Sequence, residues 1–93
     1  MDIHHDLRQQ KFYSIIKGTE YSLEYNEIEA RLWEFHCPYL PDNKKEKEVL
    51  DTLIEYAIYY MKRNDIHMLE VGSCEHVKDY MERKEELRYL IEK

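Results

Sequence analysis

Seven apolar residues, Val49, Leu50, Leu53, Ile54, Ala57, Ile58 and Met61, follow one another at spacings of one, three, one, three, one and three. That is the period of one face of an α-helix, and it predicts a helix over about 44–63. A stripe this continuous needs an apolar surface to lie on. The upstream sequence supplies one with a different period. In Glu20-Tyr21-Ser22-Leu23-Glu24-Tyr25-Asn26 the apolar residues alternate strictly, so Tyr21, Leu23 and Tyr25 share one face of a half-buried strand. Lys11 to Lys17 reads as a strand before it, and Gly18-Thr19 turns the two into a hairpin.

Ile28 to Cys37 is expected as a third strand. It places Arg31, Trp33, Phe35 and Cys37 on one side and Leu32, Glu34 and His36 on the other. Pro38 and Pro41 end it, because proline cannot donate to a central ladder. Asp42 or Asn43 caps the long helix, and Asn64-Asp65 stops it. Ile66 to Val71 is a short, mostly apolar fourth strand. Gly72-Ser73 opens a turn into a second helix from Ser73 or Cys74, with Val77, Tyr80 and Met81 inward. Leu87, Leu90 and Ile91 mark a last helical piece. The expected order is β-β-β-α-β-α with that piece after it: an α+β domain with an α/β-type crossover, its helices packed on a mixed sheet.

The chain has 93 residues, which allow one domain, taken as 11–93 after a polar N-terminal segment, 1–10. A net charge of −6 argues against sequence-independent nucleic-acid binding, which needs a basic face. No apolar run is long enough for a membrane-spanning helix. Met1 to Gln10 has no apolar stretch and does not read as a secretory signal. A cytoplasmic protein with Cys37 and Cys74 as reduced thiols is therefore expected. His4-His5, His36 and the two cysteines have no zinc spacing, so no metal is expected. His4, His5 and His67 are expected to be solvated. Tyr21 and Tyr25 are expected in the core, with Tyr56, Tyr59 and Tyr60 extending the helix stripe.

Strand, helix, strand over 28–71 makes the third and fourth strands expected parallel neighbours. Ligands tend to bind beyond the C-terminal ends of such strands. Those ends are His36-Cys37 and Gly72-Ser73-Cys74. A thiol at a helix N-terminus has a lowered pKa, so Cys74 is a candidate nucleophile; the alternative is a small side chain packed behind the turn. His36 is a candidate base, or a residue that satisfies a loop carbonyl. Tyr80 either meets a ligand or packs. The run Asn43-Lys44-Lys45-Glu46-Lys47-Glu48 is a ligand-binding helix start or a solvated one with lysine–glutamate pairs.

On these residues the chain resembles the very small, single-domain N-acetyltransferase-like branch of the GNAT superfamily, over about residues 11–91. His36-Cys37 stands at the family's His-Thr, Pro41-Asp42 at its Pro-Glu, and Gly72-Ser73-Cys74 at its Ser-Cys step. His76-Val77-Lys78-Asp79-Tyr80-Met81-Glu82-Arg83 looks like the helix that follows. The resemblance implies acetyl-coenzyme A between the two parallel strands, its pyrophosphate at the N-terminus of the long helix, and acetyl transfer to an amine that the sequence does not name. Carried over, Cys74 and His36 are catalytic, and Asn43, Lys44, Lys45, Glu46, Lys47, Glu48, Val49 and Tyr80 bind the coenzyme. The segment standing at the family's glycine-rich loop, Lys45-Glu46-Lys47-Glu48, has no glycine. The alternative is a non-catalytic protein of this fold that binds a protein partner or dimerises.

Overall fold

The computed structural model describes residues 1–69 and 73–92. Its chain runs β1 (His4–Asp6), β2 (Lys11–Ile16), β3 (Thr19–Glu29), β4 (Leu32–His36), α1 (Lys44–Asn64), β5 (His67–Leu69), α2 (Glu75–Glu82), a 3₁₀ helix (Glu85–Leu90) and β6 (Ile91–Glu92). All six strands form one mixed sheet in chain order. The first four are antiparallel neighbours, while β4–β5 and β5–β6 are parallel.

The β2–β3 hairpin closes through two residues, Lys17 (φ 51°) and Gly18 (φ 81°), between the pair Ile16 and Thr19. Positive φ at both positions gives the turn a twist that suits a hairpin, and glycine takes it without strain. Register then places Phe12 opposite Leu23 and Tyr25 opposite Phe35, so the apolar residues of three strands meet on one face. The seven stripe residues of α1 are all buried against that face. Val77, Tyr80 and Met81 of α2, with Leu87 and Leu90, join the same cluster. Both helices thus cover one side of the sheet, as right-handed crossovers require when strand order advances in one direction.

Three elements differ from the sequence expectation. The single strand expected from Ile28 divides: β3 continues through a bulge between Glu27 and Glu29, and a turn at Ala30-Arg31 begins β4 at Leu32. Arg31 takes φ 62° there without the glycine or asparagine that would announce a turn. Residues 4–6, within the expected polar N-terminal segment, add an edge strand to β2. The last piece is 3₁₀ and passes into β6. The end of the expected fourth strand and Gly72 lie outside the described residues.

The edge strand also changes the reading of His5. Its ring stacks on Phe12 at 4.0 Å, meets Tyr60 edge-on at 4.5 Å and shares a 2.6 Å hydrogen bond with the Tyr25 hydroxyl. Burial lowers its pKa from the ordinary 6.5, against a smaller opposite pull from Asp6. The folded state therefore disfavours the imidazolium.

Two outcomes follow. Leu53, with no exposed surface, should cost about 2–5 kcal/mol as Leu53→Ala in chemical denaturation. The His5 contribution is complete above the unfolded pKa and is lost as pH falls below about 6.5, through the lower folded value. Thermal melts from neutral pH to about pH 5 should show wild type losing more stability than His5→Gln.

Candidate functional site

The rim where β4 ends is built by two short sequences. Phe35 N–H donates to Ser73 Oγ at 3.2 Å, and Cys74 N–H donates to the Phe35 carbonyl at 3.0 Å. Ser73 Oγ in turn donates to the Leu69 carbonyl. On the side of β4 that faces β5, the backbone of Phe35, beyond the last described pair there, Trp33 with Met68, is thus bonded to Ser73 and Cys74. These bonds bring the α2 N-cap, Cys74, over the end of β4.

There Cys37 and Cys74 are joined in a disulfide, with Cα atoms 5.9 Å apart. This corrects the expectation of two reduced thiols. That expectation rested on the redox compartment, which sequence context suggests; the approach of the two residues is set by hydrogen bonding at the rim, which it does not. In this form Cys74 carries no thiol, so it lacks the thiolate that a nucleophile needs. His36 lies nearby in sequence but on the other side of the sheet: Trp33 and Phe35 point into the core, and His36 with Glu34 points away. Its Nε2 is 3.0 Å from Asn26 Nδ2 and 3.1 Å from Glu34 Oε1. The two candidate catalytic residues are therefore not brought onto one face.

The N-terminus of α1 is closed by its own side chains. Glu46 N–H donates to Asn43 Oδ1 at 2.9 Å, and Asp42 N–H donates to Glu46 Oε1 at 2.8 Å. This is a reciprocal cap of the capping-box kind, and its carboxylate already answers the helix dipole. Lys47 N–H donates to the Asn43 carbonyl. Lys44, Lys45, Lys47 and Glu48 are exposed, while Val49 belongs to the core. Between α1 and α2 runs a cavity of about 740 Å³ lined by Lys47, Asp51, His76, Asp79, Glu82 and Arg83. Three carboxylates there oppose two fixed cations, and His76 Nε2 is held by Asp51 at 2.8 Å. Tyr80 is not in this group. It is buried farther along α1, near Glu55, Ile58 and Tyr59, with Arg83 and Lys84 each 5.8 Å from its ring.

Acetyl-coenzyme A carries several phosphate charges, and these residues do not fit it. The N–H groups of Glu46 and Lys47 are engaged, a carboxylate occupies the helix end, and no glycine lets a phosphate reach the backbone. Among the described residues, no group of three or more His, Cys, Asp or Glu side chains is placed to hold a metal ion, and no helix is long and apolar enough to cross a membrane.

A second surface was misread from sequence. Tyr56 and Tyr59, expected to extend the buried stripe, are 42% and 61% exposed. With Tyr60, Arg63 and Asn64 they line a cavity of about 350 Å³. The signal was present: Tyr59 lies two residues after Ala57, and at about 100° per residue it points to the far side of the helix from it. Comparison with protein-family models, characterised proteins and solved structures finds no match to this chain.

The disulfide closes a loop across 37 residues of separation. In the chain-entropy account it contributes about 3–4 kcal/mol. The double variant Cys37→Ser with Cys74→Ser should therefore lose about that much in denaturant without reductant, and wild type should lose a similar amount when reduced. Thiol titration of the denatured, unreduced protein should find no free cysteine.

Proposed function

We propose that this chain is a GNAT-like fold working as a non-catalytic protein-binding module. The observation that carries the reading is the cap at the head of α1, where Asn43 and Glu46 take the place a coenzyme phosphate would need. The acid-rich cavity between α1 and α2 and the disulfide at the β4 rim support it. Exposed tyrosines beside arginine are the side chains that binding surfaces concentrate, and they supply the module's contact face.

One observation favours the other reading, acetyl transfer from acetyl-coenzyme A to an amine. The parallel β4–β5 junction, with a helix following β4, is the arrangement beyond which ligands commonly bind in crossover folds. The experiment that separates the two is a thermal melt with acetyl-coenzyme A, run on the oxidised and the reduced protein. A ligand at 100 times its dissociation constant adds about 2.7 kcal/mol. No shift is expected in either form. A shift in either overturns the module reading and returns the chain to coenzyme chemistry.

A further inference from the structure

Tyr59 stands between two cavities. One, of about 350 Å³, lies beside Tyr56, Tyr60 and Arg63. The other, of about 320 Å³, lies toward α2 and the 3₁₀ helix, where Lys62, Tyr80, Lys84 and Leu87 contribute. Lys62, Arg63 and Lys84 outnumber the acids of these two cavities, Glu55 and Glu86. The patch is thus cationic on a chain of net charge −6. None of its three cations makes an ion pair among the described residues. Arg63 instead lies 5.6 Å from the Tyr59 ring and Lys84 lies 5.8 Å from the Tyr80 ring. In a chain with twenty acidic residues, such cations are available to carboxylates from elsewhere.

We infer that the Tyr59 face docks an acidic peptide segment of a partner protein. One apolar side chain of the segment enters the cavity beside Tyr56 and Tyr60, and its flanking carboxylates meet Arg63, Lys62 and Lys84. Aromatic walls supply contact area at low entropic cost, and arginine supplies a fork that matches a carboxylate. A small cationic excess within an acidic surface selects against other acidic surfaces at large while attracting a short acidic stretch. Nucleic acid is the less suitable polyanion, because the surrounding −6 field opposes a long phosphate backbone. The inference rests on the module reading and names its partner.

The test is fluorescence anisotropy with a labelled pool of peptides in which Asp and Glu flank a single Phe, Trp or Leu. A pool with Lys in place of the acids and a single-stranded oligonucleotide serve as competitors to be ranked against it. The acidic pool should bind best, and added salt should weaken it. Tyr59→Ala and Arg63→Glu should each weaken binding about tenfold or more, with folding checked by melting. Lys45→Glu, an equal charge change at the other end of α1, should alter it by less than about twofold. Three results overturn the proposal: tighter binding of the basic pool, tighter binding of the oligonucleotide, or acidic-pool binding that is absent or indifferent to Tyr59 and Arg63. The acetyl-coenzyme A melt reads the module proposal separately. A flat melt with no peptide binding rejects this partner alone, and a shifted melt rejects the module.

Discussion

The placing of both crossover helices on one face of the sheet governs the rest of this molecule. β4 to β5 and β5 to β6 are parallel steps in the same direction across the sheet, and crossovers of one hand lay their helices on one face, as the shared core of α1 and α2 shows. That shared face decides which residues are core. Trp33 and Phe35 lie beneath the helices, stacked and edge-on with Tyr25. Glu34 and His36 are left half-buried on the face opposite the helices. It also sets α2 next to α1, so that His76 reaches Asp51 and the acid-rich cavity forms between the two helices.

The same placement determines what the rim can do. Ser73 and Cys74 are drawn onto Phe35 by backbone bonding, which carries Cys74 to Cys37. A rim tied this way is a brace between the sheet and α2. The head of α1 is likewise capped: Asn43 accepts from the Glu46 N–H, Glu46 accepts from the Asp42 N–H, and the exposed lysines around them face solvent. The flank of α1 at Tyr59 combines exposed rings with cations that make no ion pair among the described residues.

Much of the architecture could be read in the sequence, because period is a local property. The stripe from Val49 to Met61 located α1 and its buried residues, and the alternation from Tyr21 to Tyr25 located β3. The crossover over residues 28–71 implied the parallel β4–β5 pair. The break between β3 and β4 was hidden because Arg31 adopts a positive φ that its side chain does not advertise. The edge strand at His4–Asp6 was hidden because three polar residues carry no period, and only pairing with Lys11–Tyr13 makes them a strand.

For the candidate site, the sequence by itself determined the chemical inventory: two cysteines, a histidine at a strand end, a lysine–glutamate helix start without glycine, and tyrosines along a helix. Tertiary structure alone decided how that inventory is used. Strand pleat turned His36 away from the cysteines. Hydrogen bonds to Phe35 brought together two cysteines 37 residues apart. The angle of each tyrosine around α1 relative to the sheet separated half-buried Tyr60 from exposed Tyr59. Composition and period are written along the chain, whereas the meeting of distant residues depends on how a twisted sheet and its crossovers fold back on themselves.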